Sequence, residues 1–428
     1  MSTFASGWRD LKRPVNFNRP VNCPSLHPSP TSDLARRGSA DLVLMPTCRR
    51  PSLGNRIARF LETTNLPTPF LAMDIADVVA NYLELQCTLP EALIFYAVKA
   101  NPLPEIIRAL AGIGASFDVS SAAEIEQCLA IGVSPRQLSF GNTIKKAAVI
   151  ADAHTAGIDL FSFDSAAELE KIAANAPGAK VTARLLSHGK GADWPLSRKF
   201  GCEPAMAFDL LLRARALGLV PYGIAFHVGS QQTDPGQWEE PIAQSAELFR
   251  RLLIHGIRPE TLNIGGGFPA HYTTAVPSIM SYGAAIERAL VHHFGRDRPQ
   301  IIVEPGRYLV ADAGVIQTEV VLISQKSYAD DTRWVYLDCG KFGGLAETMG
   351  EAIKYRLRTP GRSNRRMPVI LAGPTCDSAD ILYENTVYHL PTDLRQGDRI
   401  QILSAGAYTY TYSSVGFNGF SPLHVVCV

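Results

Sequence analysis

A sustained alternation of strand and helix patterns, from about residue 69 to about residue 310, constrains the fold of this 428-residue chain more than any other feature. Eight short apolar segments are typical of buried strands, and helical patterns such as 121–131 and 165–175 open with a serine followed three residues later by a glutamate. Strands that alternate with helices along a chain pair in parallel. We therefore predict a closed parallel (β/α)8 barrel over residues 66–310, with an open doubly wound sheet as the alternative. The predicted strands cover 93–98, 116–119, 138–141, 159–163, 180–186, 223–228, 261–264 and 301–303.

The two ends of the chain have different patterns. After about residue 310, short strand patterns follow one another through polar, glycine and proline turns, which predicts an all-β domain over 311–428 with an added strand near Phe70. Residues 1–65 are rich in proline and serine and have no sustained periodicity, so we predict a disordered extension. A transit peptide is the less favoured reading, because prolines interrupt any amphipathic helix there.

Composition excludes several classes of protein. A net charge of +1 gives no reason to expect nucleic acid or an anionic membrane as a partner, and no apolar run approaches the roughly 20 residues of a membrane span. The eight cysteines form no C-x-x-C pair, which argues against a zinc site and a disulfide scaffold. We expect a cytoplasmic protein without a metal ion.

Chemically distinctive residues follow several of the predicted strands at their carboxyl ends. Each has a structural alternative: a lysine reaching to solvent, a core histidine, a flexible glycine turn or a surface ion pair. In a barrel, however, the carboxyl ends of all strands share one rim, and this rim carries the active site. The joint occurrence therefore predicts a site there, formed by Lys99, Asp118, His227, Gly265, Gly266, Gly267, Glu304 and Arg307.

These residue types together indicate pyridoxal 5'-phosphate as the cofactor. A lysine amine can form a Schiff base, glycine N–H groups can hold a phosphate, and a carboxylate can keep a pyridine nitrogen protonated. We expect the apolar neighbours of Lys99 to lower its pKa, which favours the unprotonated nucleophile.

From about residue 69 to the C-terminus, the chain resembles the alanine-racemase-fold (fold type III) pyridoxal-phosphate decarboxylases, in particular the bacterial lysine/ornithine decarboxylase branch. The resemblance lies in motifs that occur in the family's order. They are residues 96–101 (YAVKAN), 117–120 (FDVS), 227–230 (HVGS), 265–269 (GGGFP), 304–308 (EPGRY), 373–377 (GPTCD) and 406–409 (GAYT).

The resemblance implies roles for individual residues. Lys99 would bind the cofactor covalently, Glu304 would pair with its ring nitrogen, and His227 would stack on the ring. The phosphate would be held by Ser230, Gly265, Gly266, Gly267, Arg307 and Tyr408, and the cofactor's surroundings would include Asp118, Glu124 and Arg184.

The resemblance also implies a head-to-tail homodimer with shared active sites. Cys376 of the partner subunit would return a proton to the substrate's α carbon, and Asp377 beside it would face the distal amino group of a diamino acid. Lys199 and Asp380 would pair across the interface. The family's specificity segment corresponds to residues 336–347, where Tyr336 and Asp338 are candidate substrate contacts and the choice between Asp338 and Glu347 stays open.

These features predict a decarboxylase that converts L-ornithine, and also L-lysine, to putrescine and cadaverine in polyamine biosynthesis. Ornithine and lysine differ by one methylene, which is worth only about 1 to 3 kcal/mol of discrimination. The alternatives are arginine, diaminopimelate or a carboxylated polyamine as the substrate, and an inactive regulatory homologue.

Overall fold

The computed structural model describes residues 55–194 and 199–428. None of the helices in these two ranges is both long and apolar enough to span a membrane. The first half contains strands β1 (Phe70–Met73), β2 (Leu93–Ala97), β3 (Ser116–Val119), β4 (Leu138–Phe140), β5 (Leu160–Phe163), β6 (Lys180–Arg184), β7 (Ala192–Trp194), β8 (Val220–Ala225) and β9 (Ser230–Gln232). The second half contains β10 (Thr261–Asn263), β11 (Gln300–Val303), β12 (Gly314–Ser324), β13 (Arg333–Leu337), β14 (Leu357–Arg358), β15 (Arg366–Ala372), β16 (Ile381–Pro391), β17 (Arg399–Leu403) and β18 (His424–Cys427).

The α-helices lie mostly between the strands of the first half. They are α1 (Asn55–Thr63), α2 (Ile75–Thr88), α3 (Pro104–Gly112), α4 (Ala122–Ile131), α5 (Ala147–Thr155), α6 (Ala166–Asn175), α7 (Pro204–Ala216), α8 (Glu239–Ile254), α9 (Ile279–Phe294) and α10 (Arg307–Val310). The two predicted capping serines are confirmed, since Ser121 Oγ accepts the N–H of Glu124 and Ser165 Oγ accepts that of Glu168.

The predicted barrel is confirmed. Eight parallel strands close in the order β2-β3-β4-β5-β6-β8-β10-β11, and β11 pairs back to β2 through Ile302 and Leu93. The observed strands match the predicted ones to within a few residues at each end. Their carboxyl ends therefore meet on one rim, where the candidate residues lie.

The C-terminal part of the chain forms a mixed sheet in the order β14-β17-β12-β13-β15-β16. The early strand β1 joins this sheet, as predicted, by pairing antiparallel to β12 and parallel to β18. One hydrophobic core runs through both parts, from Tyr96 and Phe117 in the barrel to Val335 and Leu371 in the sheet. This shared core fixes the position of the sheet against the barrel.

Helix α1 corrects part of the predicted disordered extension. Ile57 and Leu61 lie four residues apart on one face of α1, and they pack with Phe70 and Val315 in a small second core. Arg56 also forms an ion pair with Asp74. Phe60 of the same helix packs against this core as well, so the apolar side of α1 docks the helix. Residues 1–54 of the predicted extension lie outside the described residues.

Candidate active site

A cavity of about 290 Å³ opens at the carboxyl ends of the barrel strands. It brings together residues that are separated by up to about three hundred positions in the chain. The predicted residues that line it are Lys99, Asp118, Arg184, His227, Ser230, Gly267, Glu304, Arg307 and Tyr408.

Lys99 lies in a short 3-10 turn, Val98–Ala100, directly after β2. Its Nζ is 2.6 Å from Oδ2 of Asp118, which β3 places on the neighbouring strand. Burial acts to lower the pKa of Lys99, but the negative charges of Asp118 and Glu304 more than offset it, so the pKa lies above its usual value. The predicted lowering is therefore wrong for the free protein. Apolar neighbours in the sequence did not reveal that two carboxylates would face the amine.

One of the two carboxylate oxygens of Asp118 has no hydrogen-bond partner among the described residues. It is the buried Oδ1, whereas Oδ2 binds Lys99. A buried acceptor without a partner is costly, so it suits a site that a polar ligand completes.

Glu304 follows β11 and faces the same cavity. Burial and the nearby charge of Asp118 raise its pKa, although Lys99, Arg184 and a hydrogen bond from Asn263 act in the opposite direction. The Nδ2 of Asn263 donates to Oε1 of Glu304 over 2.5 Å. A carboxyl group with a raised pKa can share a proton with a basic ring nitrogen.

His227 is neutral. Its burial lowers its pKa well below the usual value, and the positive charges of Arg184 and Lys99 add to this effect. Its Nδ1 accepts the backbone N–H of Gly229 over 3.0 Å, which leaves the ring proton on Nε2. An uncharged imidazole is suited to packing against the face of an aromatic ring.

The three glycines after β10 are required by close backbone contacts. A Cβ on Gly266 would lie 2.3 Å from the carbonyl oxygen of Glu304, and one on Gly267 would lie 2.5 Å from that of Gly229. Gly265 has φ +68°, and its Cβ would lie 2.5 Å from the carbonyl oxygen of Phe226. Only glycine therefore fits where the ends of three barrel strands converge, and of the three, Gly267 lines the cavity.

Several predicted residues do not line the cavity of the single chain. Glu124 lies beside it, where its carboxylate accepts the N–H of Ser120 over 2.6 Å. Cys376 is exposed, Asp377 caps its own turn by accepting the N–H of Ala379, and Tyr336 stacks on Trp334. Their proposed roles stay predictions.

The carboxylates of Asp338 and Asp380 both accept hydrogen bonds from residues of their own chain. Asp338 accepts the Thr318 hydroxyl and the Glu319 N–H, and it lines a separate cavity of about 250 Å³ together with Thr375. Asp380 is buried and accepts bonds from Lys341 and Thr375. The predicted pairing of Asp380 with Lys199 across an interface stays a prediction.

Some cavity residues escaped the sequence analysis. Trp194 ends β7, which pairs antiparallel with β9 in a two-stranded sheet. Phe200 packs against Arg184 with 4.9 Å between ring centroid and Cζ, and Tyr412 comes from near the C-terminus. Asn142 follows β4 at the same rim, and this strand-end position is a signal that could have identified it.

These residues fit pyridoxal phosphate. The cavity combines an amine for an aldehyde, a carboxyl group for a ring nitrogen, a neutral imidazole for a ring face, and an arginine with a serine for a phosphate. The buried oxygen of Asp118 without a partner adds an acceptor for a ligand. We find the donor set complete for this cofactor.

Comparisons with known proteins agree with this chemistry. Residues 75–311 match the family described as pyridoxal-dependent decarboxylase, pyridoxal binding domain. The chain is 35% identical over 360 residues to a lysine/ornithine decarboxylase of Selenomonas ruminantium. The aligned region covers 83% of this chain and 88% of that protein.

Solved structures are similar over most of the chain. A lysine/ornithine decarboxylase of Vibrio vulnificus complexed with cadaverine has a TM-score of 0.78 and 31% identity, over 87% of this chain and 97% of that one. The arginine decarboxylase of Paramecium bursaria Chlorella virus has a TM-score of 0.79 and 28% identity, over 87% and 99% of the two chains.

Proposed function

Because the chain belongs to the pyridoxal-dependent decarboxylases, we propose that it decarboxylates L-ornithine, and L-lysine as a second substrate, to putrescine and cadaverine. The observation that carries this proposal is one cavity that Lys99, Glu304 and Arg307 all line. The chain is a pyridoxal-phosphate-dependent amino-acid decarboxylase. The substrate, the pathway, the dimer and the roles of individual residues are proposed. We place the reaction in cytoplasmic polyamine biosynthesis.

Bound pyridoxal phosphate supplies a protonated ring that accepts the electron pair left behind when carbon dioxide departs. Lys99 would supply the amine that holds the cofactor, and Asp118 is the carboxylate next to its Nζ. Glu304 would keep the proton on the ring nitrogen, and neutral His227 would lie against the ring face. All four of these residues line the cavity.

The substrate's distal amine requires an acidic partner. Asp377 follows Cys376 in the C-terminal sheet domain, and both are exposed in the single chain, outside the cavity lining. This position supports a homodimer in which the partner subunit's Cys376 and the partner subunit's Asp377 reach the cavity. A carboxylate there would match an ammonium or a guanidinium group, and burial of either charge without the other would be costly.

Arginine is the second candidate substrate. The similar viral structure is an arginine decarboxylase, and a guanidinium tail would satisfy the same carboxylate. An inactive regulatory protein is less well supported, because the chain keeps Lys99, Glu304 and Arg307 together at one rim.

Initial rates on L-ornithine, L-lysine, L-arginine and diaminopimelate, with identification of the amine products, test the substrate. We expect ornithine and lysine to differ by about 10- to 200-fold in kcat/KM, as one methylene allows, and the other two to be poorer. A preference for arginine or diaminopimelate would contradict the proposal.

The Lys99→Ala protein tests the reaction itself. Loss of the amine removes covalent attachment of the cofactor, so carbon dioxide release should fall by about 100-fold or more. Borohydride trapping, followed by peptide mapping, should label Lys99 in the wild-type chain and no residue in the variant. Release at the parental rate would refute the assignment of Lys99.

A further inference from the structure

All five N–H groups of Arg307 are used within the chain. Nε and Nη2 donate to Ser230 Oγ over 3.2 and 3.1 Å, and Nη1 donates to the hydroxyl of Tyr272 over 2.8 Å. Nη1 and Nη2 also donate to the two oxygens of Glu347, each over 2.7 Å. A guanidinium has five donors, so a phosphate must replace one of these partners.

The partners differ in how easily they can be replaced. Glu347 is 2% exposed and binds the end of the guanidinium with both oxygens, which is the strongest geometry for this pair. Displacing it would leave a buried carboxylate without a cation. The Nε and Nη2 edge, by contrast, is covered among the described residues by the Ser230 hydroxyl alone, which can rotate and itself donate to a phosphate.

Glu347 and Arg307 come from different parts of the fold. Arg307 begins α10 at the barrel rim, whereas Glu347 lies in a 3-10 segment, Ala346–Glu351, of the sheet domain. The pair therefore joins the two parts of the molecule directly at the cavity. Tyr272, which is also buried, holds the same guanidinium from a third segment.

We propose that Glu347 is a positioning residue for the cofactor phosphate: it clamps the end of Arg307 so that the Nε and Nη2 edge faces the cavity. The phosphate takes that edge by replacing the single hydrogen-bond acceptor Ser230, while Glu347 and Tyr272 stay in place. This inference rests on the cofactor and is independent of which amino acid is decarboxylated.

The test compares pyridoxal 5'-phosphate with pyridoxal, which lacks the phosphate, by equilibrium titration of the cofactor-free protein followed by absorbance. In Glu347→Gln we expect the affinity for pyridoxal phosphate to fall about tenfold or more, because a charge-assisted clamp is lost, and the affinity for pyridoxal to stay unchanged. The matched control is Glu351→Gln in the same segment, whose carboxylate binds the backbone of β16 and should leave both affinities unchanged.

A second measurement uses inorganic phosphate with the cofactor-free protein. Phosphate should raise the melting temperature of the wild-type chain and of Glu351→Gln, and raise it less in Glu347→Gln. If Glu347→Gln does not fold, Tyr272→Phe removes one bond to the same guanidinium and should lower the preference for pyridoxal phosphate over pyridoxal by a few fold.

Two results would overturn the proposal. An unchanged ratio of the two affinities in the folded variant would mean that Glu347 acts only in folding. A higher affinity of Glu347→Gln for pyridoxal phosphate would mean that Glu347 competes with the phosphate and does not position its arginine. If the wild-type chain binds neither pyridoxal phosphate nor pyridoxal, the proposed function fails as well. Failure of the Glu347 proposal alone leaves binding by the wild-type chain intact, so the two outcomes can be told apart.

Discussion

At the scale of single residues, the ion pair between Lys99 and Asp118 controls the state of the reactive amine. The carboxylates of Asp118 and Glu304 outweigh the effect of burial and raise the pKa of Lys99. The amine is therefore protonated, and the proposed attachment of the cofactor to Lys99 would require removal of that proton. Asp118, whose Oδ2 lies 2.6 Å away, is the group placed to influence this step.

Replacement of Asp118 by asparagine should shift the pH dependence of cofactor attachment. Without the carboxylate the pKa of Lys99 falls, so a larger fraction is unprotonated at a given pH and the midpoint moves to lower pH by about 1 unit or more. The rate of borohydride trapping, measured against pH with excess pyridoxal phosphate, reports this midpoint. A midpoint that does not move, or moves upward, would contradict the assigned cause.

At the scale of elements, buried polar contacts connect helices and loops to the barrel strands. Lys145 follows β4, and its side chain is completely buried. Its Nζ donates to the carbonyl oxygens of Asn142 and Ser162 over 2.7 Å each and pairs with Glu168 of α6 over 2.9 Å. Burial lowers the pKa of Lys145 to about 8, although the charge of Glu168 acts in the opposite direction.

This lowered pKa predicts a pH-dependent stability. Between pH 8 and about 10.4, the usual lysine pKa, the unfolded chain binds a proton that the folded chain has released, so the free energy of unfolding rises with pH. The gain from this group is up to about 3 kcal/mol. Urea unfolding across this range should show the rise in the wild-type chain and a smaller one in Lys145→Met. If the free energy of unfolding rises equally with pH in the two proteins, Lys145 is not the group responsible.

Helix α1 provides a second test at this scale. Leu61 lies in the small core with Phe70 and Val315, so Leu61→Ala should lower the free energy of unfolding by about 2 kcal/mol. The neighbouring Glu62 is exposed, and Glu62→Ala is the matched control with an expected change within about 0.5 kcal/mol. Chemical denaturation of the two variants measures the difference. An equal effect of both changes would mean that α1 does not dock as the structure has it.

At the scale of the whole molecule, the proposed homodimer would divide the residues of each active site between two chains. Cys376 and Asp377 are exposed in the single chain and lie outside the cavity lining, whereas Lys99 faces the cavity. A symmetric dimer would contain two sites, each combining Lys99 of one subunit with residues of the other.

Mixing of two inactive proteins tests this arrangement. Lys99→Ala and Cys376→Ala subunits, reassembled in equal amounts, should recover about a quarter of wild-type activity, because half of the dimers are mixed and each mixed dimer contains one intact site. Formation of the amine product before and after mixing measures the recovery, because Cys376 would act after carbon dioxide has left. No recovery, although mixed dimers form, would place both residues in the same chain's site.

Much of this fold could be predicted because its pattern is local. Eight strand patterns alternating with helices, and the serine caps of α4 and α6, are each readable within a window of about a dozen residues. The rim could then be inferred, since parallel strands in a barrel align their carboxyl ends. Lys99, Asp118, His227, Glu304 and Arg307 follow from strand ends alone.

The sequence by itself therefore determined the barrel, the side of the barrel that carries chemistry and the residue types available there. Only the tertiary structure decided which charges meet: that carboxylates raise the pKa of Lys99, that Glu347 clamps Arg307 from forty residues away, and that Cys376 and Asp377 stay outside the cavity of their own chain. The physical reason is the difference between separation along the chain and distance in space. Periodicity and caps act between neighbours in the chain, whereas ion pairs and burial depend on distances in space that no short segment contains.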